Sequence, residues 1–240
     1  MWIISTLMQF RGGNLSLIVH LAGCGSKMTA DQRRVIGIIG AIGSGKDTIA
    51  DYLIGAHGFK KASFARRVKD VAAAVFRWDR ELLEGSTRES REWREQVDPF
   101  WGLSPRQALQ KIGTEMFRTH IRDDIWVRAL EKDLAAEPAQ NFVITDCRFQ
   151  NEIDTIRACG GRIIYVSRGE PPSWVSDAVI AYKDPASPQA AWFAASGIHL
   201  TVWTTYALAS QADVQICNDG SLEELYAAIF KTMNGATTLV

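Results

Sequence analysis

The stretch Arg34-Val35-Ile36-Gly37-Ile38-Ile39-Gly40-Ala41-Ile42-Gly43-Ser44-Gly45-Lys46-Asp47-Thr48 decides the fold of this 240-residue chain. Arg34 to Gly40 is a continuous apolar run, the pattern of a parallel strand buried on both faces. Lys46 to Ile54 then carries apolar residues at helical spacing: Ile49, Ala50, Leu53 and Ile54. Between strand and helix, Gly40 to Lys46 matches G-x-x-x-x-G-K, and that context makes the motif credible as a phosphate-binding loop. Its glycines permit left-handed backbone, so that amide N–H groups turn inward and form a nest for polyphosphate oxygens at a helix N-terminus. Lys46 adds a point charge near the β- and γ-phosphates. Ser or Thr usually follows the lysine to hold magnesium; here Asp47 stands there and the hydroxyl comes one residue later, at Thr48. Asp47 is either a magnesium ligand, direct or through water, or a first-turn acid that favours the helix dipole. Thr48 is a candidate contact to a phosphate oxygen.

Outward from this loop, strands alternate with helices. Lys61 to Ala65 predicts a short second strand, with a helix through Val68, Val71, Ala72 and Val75. Residues 79–103 are charged and aromatic without a clean period, as in a surface excursion or flap. Ser104-Pro105-Arg106-Gln107 is a helix start with a capping box and proline at the first helical position. A helix follows over Asp124 to Ala135, then the buried strand Asn141 to Asp146, a helix over Glu152 to Cys159 ended by Gly160-Gly161, and the strand Arg162 to Ser167. Residues 169–198, rich in Pro, Ala and Ser, read as an insertion or lid. Asp213 to Cys217 is the last strand, and Ser221 caps a helix over Leu222 to Met233. Five strands alternating with helices predict an α/β fold, a mostly parallel sheet covered on both faces, with the loops after the strands along one edge.

That edge carries the candidate site residues. Asp146 ends its strand where a carboxylate can hold magnesium, or where it is a turn or cap residue. Arg148, two residues on, can grip a phosphate bidentately. Arg168 ends the next strand and is either the charge that neutralises a transferring group or a solvated arginine. Arg66, Arg67, Lys69, Arg106 and Trp126 lie between loop and Asp146; a second phosphate substrate needs cations, and a base needs a flat apolar partner.

Composition narrows the class. The chain is 47% hydrophobic and 22% charged, an ordinary globular balance. Lys+Arg and Asp+Glu are equal at 27 each, so phosphate binding is local and a broad nucleic-acid surface is not expected. Cys24, Cys147, Cys159 and Cys217 form no CxxC pair and read as free thiols. No apolar run reaches transmembrane length. Residues 1–33 read as an N-terminal extension before a domain over 34–240. Leu21-Ala22-Gly23-Cys24 resembles a lipoprotein cleavage box, but His20, Gly12 and Gly13 break the apolar stretch and only Arg11 precedes it. The preferred expectation is a start at Met28, with residues 1–27 dispensable and the protein in the cytoplasm, where ATP is found.

Several blocks, in order, resemble the bacteriophage deoxynucleoside monophosphate kinases: GSGKDT at Gly43 to Thr48, FARRVKD at Phe64 to Asp70, PRQALQKIGTE at Pro105 to Glu115, DDIWV at Asp123 to Val127, DCRFQNE at Asp146 to Glu152, and NDGSLEEL at Asn218 to Leu225. They span about residues 34–233. The resemblance implies a three-layer P-loop kinase with a five-stranded sheet and a lid, using ATP and magnesium. Gly43, Ser44, Gly45, Lys46, Asp47 and Thr48 would bind ATP. Lys69, Arg106, Gly113, Thr114 and Trp126 would line the monophosphate site. Asp146 and Arg148 would stand between the substrates, with Glu152 of the same block among the substrate-binding residues. Beside the resemblance, the residues themselves make Lys46, Arg148 and Arg168 the candidates to stabilise the transferring charge, and Asp47 and Asp146 the candidate metal ligands. His199-Leu200-Thr201-Val202-Trp203 is similar to a family H-x-S-E segment, but Val202 replaces the acid, which leaves its role and base choice open. The implied partner is a deoxynucleoside monophosphate, without nucleic acid or membrane, and a homodimer stays open. The rival readings are another small-molecule kinase resembling dephospho-coenzyme A kinase, an ATP-dependent switch or motor subunit, and a lipid-anchored binding protein resting only on Leu21 to Cys24.

Overall fold

The computed structural model describes residues 34–234; the expectations for residues 1–27 lie outside them. Strands β1 (Val35–Gly40), β2 (Lys60–Ala62), β3 (Phe142–Ile144), β4 (Arg162–Ser167) and β5 (Val214–Cys217) form one sheet in the order β2-β3-β1-β4-β5. Every pairing is parallel, so each connection is a crossover and all strands end on the same edge.

The pleat explains the two cores. Val35 and Ile39 of β1, Phe142 and Ile144 of β3, and Ile163 of β4 face one side. They pack there against Val127, Leu130 and Leu134 of α6 (Ile125–Ala135) and Ile153 and Ile156 of α7 (Gln150–Ala158). Their alternates Ile36, Ile38, Val143, Ile164 and Val166 face the other side, against Ile49 and Leu53 of α1 (Lys46–His57) and Leu225 and Ile229 of α11 (Leu222–Met233). Each fully buried Ile or Leu here contributes roughly 1.5–3 kcal/mol. Gly37 leaves room for Ile156 and Ile163 against β1.

Two helical outgrowths stand beyond the sheet. The first contains α2 (Arg66–Phe76), a short 3-10 turn (Leu82–Glu84), α3 (Arg88–Glu95) and a continuous helix made of α4 (Pro105–Gln110), a π-helical stretch (Lys111–Met116) and α5 (Phe117–His120). Residues 79–103, which lack a clean period, therefore hold a helix; Thr87 and Ser90 cap it reciprocally. Ser104 and Gln107 do the same for α4. The second outgrowth is α8 (Val175–Lys183), α9 (Pro188–Ser196) and α10 (Leu200–Ala207), closed on Phe193 and Trp203. Among the described residues no helix is long and apolar enough to cross a membrane.

A buried ion pair ties the first outgrowth to the sheet layer. Arg118 of α5 donates from Nη2 to Glu152 Oε1 at 2.5 Å and from Nη1 to Asp123 O at 2.7 Å, with its guanidinium 4.0 Å from the Phe149 ring centroid. Glu152 Oε2 accepts from the Arg148 and Phe149 amides at 2.7 and 3.2 Å. Burial pushes the Glu152 carboxyl up to about 7, against the pull of Arg118. Removing Arg118 leaves the buried Glu152 carboxyl without its cation and favours its neutral form, so Arg118→Ala is expected to destabilise the protein in urea unfolding by more than a surface substitution does, and pairing Arg118→Met with Glu152→Gln to recover much of that loss. Between the ordinary carboxyl value of 4.5 and about 7 the native state holds a proton that the unfolded chain has released. Stability therefore falls as pH rises across that window, and Glu152→Gln should flatten that slope.

Candidate phosphoryl-transfer site

The edge where the strands end holds a cavity of about 360 Å³, built around the turn from β1 into α1. Gly43 and Gly45 adopt left-handed backbone, with φ 79° and 104°. A β-carbon on Gly45 would collide with the Asn218 side-chain amide. That amide is the clamp of the loop: Asn218 Nδ2 donates to Ser44 O at 2.9 Å, and the Asn218 backbone N donates to Ser167 O at 2.9 Å. Ser44 is only 2% exposed. Lys46 Nζ donates to Ala41 O at 2.6 Å, folding back over the loop it follows. Burial lowers the Lys46 ammonium to about 8; the nearby Arg148 charge lowers it too, and Asp47 opposes both. A buried cation beside an arginine favours an arriving anion.

Gly43, Gly45, Lys46, Asp47 and Thr48 line this cavity together, and Arg168 joins them from the end of β4. Gly169 N donates to Asp219 Oδ1 at 2.6 Å, so Asn218 and Asp219 hold the phosphate loop and the Arg168 turn from one short connection. Asp47 Oδ1 accepts from Lys61 Nζ at 2.8 Å. Burial works to raise the Asp47 carboxyl, but the Lys61 hydrogen bond and the charges of Lys61 and Lys46 hold it below its usual value. An exposed, ionised carboxylate in the first turn after the loop has the chemistry of a magnesium ligand.

Asp146 is engaged otherwise. Its Oδ2 accepts from Ser63 Oγ at 2.7 Å and Ala65 N at 2.8 Å, and its Oδ1 from Phe64 N at 3.2 Å. Three donors let it cap the connection from β2 into α2, and the half-buried carboxylate stays an expected metal or substrate contact at the strand edge. Glu152 is buried, and its carboxylate accepts from Arg118 and from the Arg148 and Phe149 amides. Arg148 does reach the neighbourhood of Lys46, and its Nη1 donates to Thr201 O at 2.8 Å. This fastens the start of α10, where His199 accepts from Thr201 N as the cap. Burial and the Arg148 charge lower the His199 imidazole, and Glu115 of the π-helical stretch opposes them.

The expected monophosphate residues are divided by the fold. Lys69 is paired with Glu84 at 2.5 Å, and Arg106 is paired with Glu95 of α3. Gly113 and Thr114 lie in the π-helical stretch, an irregularity frequent at functional sites. Trp126 does not offer its ring: it is 4% exposed and donates from Nε1 to Gly113 O at 2.7 Å, meeting a carbonyl of the widened turn. It packs with Val68, Ala72, Leu83 and Ile112. Arg91, Asn218, Gly220, Leu222 and Leu225 are the cavity residues to which the sequence analysis assigned no site role. For Asn218 the signal lies in NDGSLEEL, whose local pattern reads only as a turn; for Arg91 the unperiodic segment offers none.

Comparison with known proteins places this geometry in a family. The family described as "Deoxynucleotide monophosphate kinase" matches residues 86–181. A protein of Acanthamoeba polyphaga mimivirus named "Putative deoxynucleotide monophosphate kinase" is 30% identical over 219 residues, covering 85% of this chain and 98% of that protein. The deoxynucleoside-5'-monophosphate kinase of Escherichia phage T5 is 42% identical over 55 residues, 23% of this chain and 22% of that protein. Among solved structures, shikimate kinase of Aquifex aeolicus is 16% identical with a TM-score of 0.45, covering 84% of this chain and 96% of that one. A near-full-length relative, a matching family and a phosphate loop on a five-stranded parallel sheet agree: the chain belongs to the deoxynucleotide monophosphate kinase family.

Proposed function

We propose that the protein transfers the γ-phosphoryl group of ATP to a deoxynucleoside monophosphate, giving the diphosphate and ADP. The observation that carries this reading is the cavity in which Lys46, the turned-in loop and Arg168 converge, beside an outgrowth that holds Lys69, Arg106, Gly113 and Thr114. The acceptor already carries an anionic phosphate oxygen, so no general base is needed and catalysis is positioning plus charge neutralisation. In this reading Gly43 to Thr48 bind ATP, and Lys46, Arg148 and Arg168 stabilise the transferring group. Asp47 would hold magnesium, which when bound offsets polyphosphate charge. Closure of the helical outgrowths would exclude water from the phosphates. Residues 34–240 would form the kinase domain after an extension over 1–33, and the enzyme would work in the cytoplasm, the host's if phage-encoded.

A coupled ADP-release assay with ATP, magnesium and each deoxynucleoside monophosphate, with ribose counterparts alongside, tests the reading. Acceptor-dependent turnover is expected; ADP release independent of any acceptor would move the weight to a switch or motor. Lys46→Ala should lower kcat by about a hundredfold or more without unfolding the protein. Asn218→Ala removes the clamp on Ser44 O, and should weaken ATP binding by about tenfold in calorimetry while leaving the melting temperature within a few degrees.

A further inference from the structure

Helix α3 sends one charged side chain into the phosphate-loop cavity from outside the sheet. Arg91 lines that cavity with Lys46, Asp47 and Arg168. Glu89 feels the Arg91 charge, and other charged neighbours along the helix are occupied elsewhere. Arg88 pairs with Glu92 at 2.7 Å, Arg94 donates to Leu83 O at 3.4 Å and packs against Gly85, and Glu95 takes Arg106. Arg91 makes no ion pair among the described residues, and neither does Arg168. The carboxylate of Asp47, on the cavity wall, is already bonded to Lys61. Three cations thus face one cavity whose lining acid, Asp47, is already matched, while Glu89 and Asp219 feel the Arg91 and Arg168 charges without forming ion pairs with them, an arrangement suited to a polyanion. The backbone around Arg91 is fixed, because Thr87 and Ser90 cap the helix immediately before it and Ser90 is buried.

We propose that Arg91 is a catalytic residue of the donor side, its guanidinium contacting the γ-phosphoryl group of ATP with Arg168 and Lys46. This rests on the kinase reading above and adds to it a residue from the acceptor-side outgrowth. In the step, an acceptor phosphate oxygen forms the new bond to the γ-phosphorus. The bond from that phosphorus to the bridging oxygen breaks, and its electron pair stays on the β-phosphate of ADP. Arg91 keeps its protons throughout and meets the charge spread over the transferring oxygens. One helix then serves both substrates, because Glu95, one turn on from Arg91, fixes Arg106. The donor site is complete only when the acceptor-side outgrowth is seated.

The test compares the parent with Arg91→Ala, Arg91→Lys, Lys46→Ala and Arg88→Ala, reading kcat, both KM values, melting temperature, and equilibrium binding of ATP and ADP. Arg91→Ala should melt like the parent, lose about 10²–10³-fold in kcat with acceptor KM within a few-fold, and weaken ATP binding more than ADP binding. Arg91→Lys should recover part of the loss, because charge is kept and the planar fork is not. Arg88→Ala, whose partner is Glu92, should behave as the parent. Arg91→Ala turning over like the parent, while Lys46→Ala is inactive, would overturn this proposal and leave the kinase reading intact. A parent without acceptor-dependent turnover would sink the kinase reading; the ATP-against-ADP difference then decides for Arg91, and equal weakening of both overturns its γ-phosphoryl contact.

Discussion

The amide of Asn218 pressed against the carbonyl of Ser44 is the contact on which the site depends. A loop that turns its amides inward gains nothing unless its own carbonyls are held outward, and Ser44 O has been given a partner on the far side of the cavity. The same connection holds the turn after Arg168 through Asp219. Two strands that are neighbours in space, β1 and β4, thereby present their loops in one fixed relation, with β5 as the brace. Positive φ at Gly43 and Gly45 is a local cost of this geometry, and it is met where glycine makes it small.

Buried charge has been handled in two ways. Arg118 and Glu152 are shut in together, each with further hydrogen bonds, and link the first outgrowth to the helix that follows β3. Lys46 has a backbone carbonyl and a neighbouring arginine instead of a buried acid, which leaves its charge poorly compensated. The first arrangement makes a rigid joint. The second leaves a cation with a reason to receive an anion.

The outgrowths are joined to the sheet edge by few, specific bonds. Asp146 caps the entry into α2, Arg148 reaches the first turn of α10, and Trp126 meets the carbonyl of Gly113 within the π-helical stretch. Each bond joins an element of the sheet layer or its helices to an outgrowth, so the residues around the cavity are coupled to the segments expected to close over substrate.

The sequence by itself determined the sheet, the phosphate loop and the caps. The apolar runs at β1, β3 and β4, the G-x-x-x-x-G-K spacing, the capping box at Ser104 and the cap at Ser221 are local patterns, and local patterns report local backbone. Ordered blocks also carried the family. Tertiary structure alone decided what the polar residues of those blocks do. A linear reading of Asp146, Glu152 and Trp126 does not say whom they meet inside the fold, because a carboxylate or an indole is written the same way whatever its partner. Their partners, Ala65, Arg118 and Gly113, lie 81, 34 and 13 residues away. Arg91 shows the converse: an arginine in a charged, aperiodic segment carries no mark in the sequence, and only the packing of α3 beside the sheet edge brings it to the phosphate-loop cavity.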